Sequence, residues 1–372
     1  VQKFLVIQTA FIGDVVLATA LLEKLHGHFP EARIDFLVRK GNEGLLAGHP
    51  WLHKVLVWDK KQNKLKNLWT MGRQIRRERY DKVINVQRFA ATGLLTIFSG
   101  AKETIGFDKN PFSRFFTHSI PHVISVPEKA VAAAQVKPGA PAPAAPTHEV
   151  DRNQALIAAF TDPKAARPRL YPTSEDAKTV FPYKNTPYIS ISPASVWFTK
   201  QYSGDKWADF IRAIPAHYNI YLLGAPGDRA LCEAIIEAAA YKSVGGKGIT
   251  EHGTTMHNLA GQLTFLQSAA LMRDAVMNYV NDSAPMHFAS AVNAPVTAVY
   301  CSTIPGFGFG PLSDKSYIVE LVEPLDCRPC GLHGYKACPL GHFNCARKIH
   351  DKQLLETLVT SHEGKPHSQQ AK

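Results

Sequence analysis

No apolar run in this chain reaches the roughly 20 residues that a helix needs to cross a bilayer, so a helical membrane span is not expected. Nor is a leader peptide, because the chain enters a strand-like segment at Phe4. Cysteine is scarce, at 6 of 372 residues, which excludes a small disulfide scaffold and makes a cytoplasmic protein the expectation. The three spaced glycines of the dinucleotide fingerprint are missing. No recognised nucleic-acid-binding motif accompanies the basic charge.

What is present is a globular composition, 45% hydrophobic and 20% charged. The length suits two domains. Lys and Arg number 42 against 31 Asp and Glu, a formal charge of +11. That excess favours an acidic partner: nucleic acid, an anionic lipid surface or a phosphorylated sugar. Basic residues gather at Lys60, Lys61, Lys64 and Lys66, then at Arg73, Arg76, Arg77 and Arg79. With Trp69, Met71 and Ile75 between them, the second group reads as a basic amphipathic helix. Such a helix can touch a membrane, although a plain solvated face is the commoner outcome.

Apolar segments alternate with helical ones in both halves, which implies α/β architecture with parallel sheets. In the first half the strands are 4–8, 33–38, 55–57 and 83–86, and the helices 15–28, 44–47, 69–79 and 91–98. Residues 101–116 read as an aromatic, basic loop, and 128–147 as a mobile Pro/Ala-rich loop. Helix resumes at His148 and runs through Phe160. Five prolines between Pro163 and Pro187 read as the interdomain connection. In the second half the strands are 188–192, 219–223, 275–280 and 296–300, and the helices 207–216, 228–240, 266–273 and 288–292. Domains are expected over 1–165 and 180–350, with a disordered tail over 362–372.

Three strand-to-helix turns carry the chemistry. Asn281-Asp282-Ser283-Ala284-Pro285-Met286-His287 joins a strand to a small-residue helix. A helix N-terminus there offers an anion site, with His287 about one turn in; an ordinary N-cap explains the motif equally well. Thr9 to Asp14 follows the first strand and sets one carboxylate at the mouth of the first turn, where open α/β sheets bind ligands. Helix capping is the commoner role for Asp14. After Ser192, the loop carrying Thr199 and Lys200 supplies hydroxyls and a point charge suited to phosphate. Leu223 to Asp228 is a further turn at the same edge, with Asp228 better read as a cap. Cys327, Cys330, Cys338 and Cys345 have the spacing C-x2-C-x7-C-x6-C, with His333 and His342 between. This is a fair metal signal, set against buried or loosely paired thiols. Cys232 and Cys301 read as core.

Together these segments resemble the ADP-heptose–lipopolysaccharide heptosyltransferases, a family of GT-B glycosyltransferases. The likeness rests on Ile12-Gly13-Asp14-Val15-Val16-Leu17, Tyr80 to Ile84, Ser99 to Lys102, Ile105 to Asp108, Pro193 to Ser195 with Thr199-Lys200, Leu223 to Asp228, Asn258 to Gly261, Asn281 to His287, and Cys338 to His342. It implies two Rossmann-like domains facing a cleft, acceptor on the first and nucleotide sugar on the second. The implied chemistry is an inverting, metal-independent displacement with Asp14 as general base and no cofactor. The implied donor contacts are Lys200, Asp282, Ser283, Ala284 and His287, with Thr199 and Asp228 as weaker matches. Expected acceptor contacts are Gly13, Lys60, Lys61 and Arg88. The donor by default is ADP-heptose, and the acceptor the anionic lipopolysaccharide inner core. The expected place is the cytoplasm, with peripheral contact on the inner membrane and no nucleic acid partner. Ala284 stands where the family usually has Gly, Ala20 where it often has Pro, and Asn85 where it often has Asp. A transferase for another nucleotide sugar, or a catalytically silent sugar-nucleotide binder, are the alternatives.

Overall fold

The computed structural model describes residues 1–124 and 147–363, so the Pro/Ala-rich loop of 128–147 falls almost entirely outside the described residues, as does nearly all of the expected tail. Two compact units emerge. One comprises Val1–Tyr171 with Gly306–Phe309, the other Pro172–Pro305 with Gly310–Lys372.

In the first unit the described elements are β1 (Lys3–Ile7), α1 (Ile12–His28), β2 (Arg33–Arg39), β3 (Leu52–Trp58), α2 (Lys64–Glu78), β4 (Lys82–Asn85), α3 (Ala90–Ile97), β5 (Glu103–Phe107), β6 (His118–Ile120) and α4 (Glu149–Ala155). The strands form a six-stranded sheet in the order β3-β2-β1-β4-β5-β6, every pair parallel. The order reverses at β1, so the turns after β1 and β4 open on one crevice at the carboxyl edge. Helix α1 buries Val15 through Leu22 and Leu25, because a helix apolar all round needs cover on most of its surface. A core of Leu5, Ile7, Leu56 and Trp58 receives Met71 and Ile75 from α2.

The second unit holds α5 (Ser174–Val180), β7 (Tyr188–Ser192), α6 (Gly204–Ala213), β8 (Asn219–Leu222), α7 (Arg229–Ala239), β9 (Lys242–Val244), β10 (Lys247–Ile249), β11 (Thr255–Asn258), α8 (Phe265–Arg273), β12 (Met277–Asn281), α9 (Ala284–Ala291), β13 (Val296–Tyr300), β14 (Ser316–Glu320), α10 (Asn344–Arg347) and α11 (Asp351–Glu363). Its sheet runs β14-β13-β12-β7-β8-β11-β10-β9. Only β10 is antiparallel to its neighbours. Strands β7, β12 and β13 are buried throughout, as strands covered on both faces must be. The order reverses between β7 and β12, and the segments that follow these two strands carry Thr199, Lys200, Asp282, Ser283, Ala284 and His287, whereas Asp228 follows β8.

Several expectations change. The segment 101–116 is not all loop, since it contains β5. Helix α5 lies inside the proline-rich connection, opened by a capping box in which Thr173 and Asp176 bond reciprocally. Helix α4 stops at Ala155 instead of running to Phe160. Helix α9 begins at Ala284, four residues earlier than expected, with proline in its first turn, where the missing N–H has no intrahelical role.

Candidate active site

In the first unit, Asp14 is the third residue of α1, and its carboxylate accepts the Phe11 N–H at 3.2 Å. The expected cap therefore exists. A helix N-terminus normally holds a carboxylate's proton affinity down. Here burial outweighs it: burial, followed by the charge of Glu149, pushes Asp14 up to about 6, while the Phe11 N–H and Arg88 pull the other way.

Glu149 opens α4, which packs on α1. Its carboxylate lies 2.6 Å from Arg152 Nε and 3.4 Å from His122 Nε2. Burial alone would raise Glu149, but His122 and Arg152 hold it below the ordinary range, so it stays charged. The Glu149 N–H donates to the Gly308 carbonyl at 2.7 Å, and Arg152 donates to the Phe307 carbonyl at 3.0 Å. Gly308 has a φ of +87°, and a Cβ there would stand 2.2 Å from the Thr147 carbonyl oxygen. Only glycine fits that close approach.

Lys60 comes from the segment after β3 and reaches the end of β1. Its ammonium donates to Thr9 Oγ1 at 2.7 Å and to the Thr9 carbonyl at 3.1 Å. It also stands 4.8 Å from the Trp58 ring centroid. Burial, then Arg39, lowers its pKa to about 8. Gly13 is half-buried in the first turn of α1, and Arg88 is exposed just past β4. Lys61 is exposed, and its backbone N–H bonds to Asp59; nothing in the structure draws it toward the β1 turn as Lys60 is drawn.

In the second unit, Lys200 Nζ lies 2.6 Å from Asp282 Oδ2. The same oxygen accepts the Thr303 hydroxyl at 2.6 Å. Asn281 ties the loops together, donating to the Pro193 carbonyl and accepting the Tyr202 N–H. Thr199 is buried, and its hydroxyl oxygen accepts the Tyr335 N–H at 2.7 Å and the Ser302 hydroxyl at 3.0 Å. It pins the loop bearing Lys200 instead of opening to a ligand. Ser283 occupies the N-cap of α9 without a side-chain capping bond and donates to the Asn281 carbonyl instead. Ala284 is the first helical residue and has no positive φ, so its methyl meets no backbone penalty. His287 is buried one turn in. Asp228 accepts the Ala225 N–H at 2.8 Å, the capping role favoured above.

The cysteine segment braces this site. Tyr335 and Ser302 hold Thr199, while the Cys330 N–H bonds to the Ser302 carbonyl. Cys327 Sγ lies 3.9 Å from His342 Nε2, and Cys338 Sγ accepts the Phe343 N–H. Cys345 is buried and all six cysteines are free thiols, with Cys232 and Cys301 in the core. Among the described residues, no three His, Cys, Asp or Glu side chains stand together as a metal ligand set. Among them, too, no helix is long and apolar enough to cross a membrane. The sequence carries no signal that marks His122 or Thr303 as site residues, and little that marks Glu149 and Arg152. Only the i,i+3 spacing of Glu149 and Arg152 hinted at a pair, and nothing there marked it as buried.

Residues 68–334 match the family model described as glycosyltransferase family 9 (heptosyltransferase). The lipooligosaccharide heptosyltransferase 2 of Haemophilus ducreyi is 24% identical over 340 residues, covering 87% of this chain and 89% of its own. The solved glycosyl transferase family 9 protein of Veillonella parvula superposes with a TM-score of 0.78 at 19% identity, over 98% of each chain. The E. coli ADP-heptose lps heptosyltransferase II does so with a TM-score of 0.72 at 20% identity, over 97% of this chain and 98% of its own. The fold is thus GT-B, built from two Rossmann-like domains.

Proposed function

The chain belongs to glycosyltransferase family 9, the heptosyltransferases, and from that membership we propose that it transfers heptose from ADP-heptose to the lipopolysaccharide inner core with inversion, Asp14 acting as general base. The first unit takes the acceptor and the second the nucleotide sugar. The observation that carries the reading is the Asp14 carboxylate, set at the turn after β1 with its pKa raised to about 6. An ordinary cap is a weak base, but a carboxylate raised this far is ionised at neutral pH and still accepts a proton.

In the proposed step, the acceptor hydroxyl oxygen attacks the anomeric carbon from the face opposite the diphosphate. The carbon–oxygen bond to the diphosphate breaks as the hydroxyl proton passes to Asp14. Lys200 and the N-terminal N–H groups of α9 meet the charge that builds on the leaving ADP, so the step calls for no metal. Lys200 must exchange Asp282 for phosphate when donor binds, and the Thr303 hydroxyl keeps Asp282 partnered meanwhile. Ser283, Ala284 and His287 line the same turn, while Thr199 holds the Lys200 loop in place. Asp228 is left as a cap. On the acceptor side, Lys60, Arg88 and the Gly13 turn offer cations and backbone to an anionic sugar. The enzyme would work at the cytoplasmic face of the inner membrane, in peripheral contact with it.

Transfer assays with wild type and Asp14→Asn test this. Loss of transfer with donor affinity retained supports the base; retained turnover refutes it.

A further inference from the structure

Helix α2 turns Met71 and Ile75 into the core. At 100° per residue, the opposite face carries Leu65, Lys66, Trp69, Arg73, Arg76 and Arg77, all exposed. Leu65 is 83% exposed and Trp69 64%. The Arg73 guanidinium lies 4.5 Å from the Trp69 ring centroid. Arg76 donates to the carbonyl of Phe98, another side chain held out in water, at 61% exposure. The helix has one acid, Glu78, and Lys54 neutralises it at 2.9 Å. Of the three apolar residues expected to give this helix its stripe, Met71 and Ile75 are therefore spent on the core, while Trp69 points outward and is joined there by Leu65.

We propose that the outer face of α2, with Leu65 and Trp69 as anchors and Lys66, Arg73, Arg76 and Arg77 around them, is a docking surface for an anionic lipid bilayer. Two large apolar groups one turn apart, ringed by cations and free of acid, match the two layers of such a surface. The cations meet headgroup phosphates, while Leu65 and Trp69 reach the acyl boundary. Trp is suited to that boundary, with an apolar body and a polar N–H, and Arg side chains lay their stems along it. A soluble polyanion would use the cations and leave Leu65 and Trp69 in water. This assigns an element to the peripheral contact proposed above, but its test needs no donor, so either reading can fail alone.

The full chain is sedimented with vesicles of phosphatidylcholine alone and of phosphatidylcholine with phosphatidylglycerol, with no sugar nucleotide. Wild type is expected to bind the anionic vesicles roughly tenfold or more tightly than the neutral ones, and the Leu65→Ser/Trp69→Ser variant to lose roughly tenfold. The thermal unfolding midpoint of that variant should match wild type, because Leu65 and Trp69 lie outside the core, and this serves as the check on folding. Absence of wild-type binding overturns the proposal. So does equal binding by the variant, which would mark the face as a site for polyanions in general.

Discussion

Lys200 and Asp282, which come from the loops after β7 and β12, form an ion pair of 2.6 Å at the point where the strand order of the second sheet reverses. Both are expected from the sequence to touch the donor, and in the structure they touch each other. The pair has 16% and 9% side-chain exposure, so each charge depends on its partner. Lys200→Met is expected to raise the donor dissociation constant by about ten- to a hundredfold, measured by calorimetry. Breaking a largely buried pair should also lower stability by about 3 kcal/mol, read from denaturant unfolding, less whatever the Thr303 hydroxyl recovers. Unchanged donor affinity would remove Lys200 from the diphosphate site.

Asp14→Asn should cut turnover about 10²- to 10⁴-fold and yet stabilise the fold. The sign follows from linkage. Asp14 holds its proton more tightly in the folded chain, up to about 6, than at the ordinary aspartate value of 3.8. Its contribution to stability therefore falls as pH rises from 3.8 through about 6 and stays lost above. Removing the charge recovers on the order of 1–3 kcal/mol above pH 6, and little below pH 4. Thermal unfolding across that range checks it.

Glu149→Gln tests the electrostatic setting of Asp14. Glu149 is held ionised by His122 and Arg152 and raises Asp14. Its neutralisation should shift the acidic limb of the kcat/KM profile to lower pH. Carbon NMR titration of Asp14 should move in the same direction without any substrate. A limb that stays in place would mean the charge of Glu149 is not felt at the base.

Lys60 has its pKa lowered to about 8 by burial and by Arg39. As pH rises through 8 it loses its charge, so KM for an anionic acceptor should climb there while donor affinity holds. Lys60→Arg, charged throughout, should flatten that rise. A rise that persists in the variant would place its origin elsewhere.

Much of this architecture could be read from local pattern. Strands β1, β7 and β12 are apolar runs ending in polar turns, and Asp14, Lys200 and Asp282 sit in those turns. Strand β5, Glu103–Phe107, has polar and glycine positions that periodicity does not register. Helix α5 was masked by prolines on both sides, although Thr173 and Asp176 form a capping box visible in the sequence. Helix α9 starts earlier than its small-residue run suggests because Pro285, which would break a helix interior, is tolerated in a first turn. The sequence shows that Glu149 is acidic, but not that it is buried, nor that its N–H bonds to the Gly308 carbonyl, 159 residues along the chain. Thr303 is equally invisible, because only the fold brings it to Asp282. Thr199 illustrates the reverse case: its place in the motif was legible, but its hydroxyl is taken up by Tyr335 and Ser302.

The most direct measurement is mass spectrometry of a Kdo–lipid A acceptor after incubation with the purified chain and ADP-heptose, UDP-GlcNAc or GDP-mannose in parallel. The account expects one heptosyl residue added from ADP-heptose, matched by ADP release, and none from Asp14→Asn. Sugar added only from another nucleotide would contradict the donor assignment, and turnover by Asp14→Asn would contradict the mechanism.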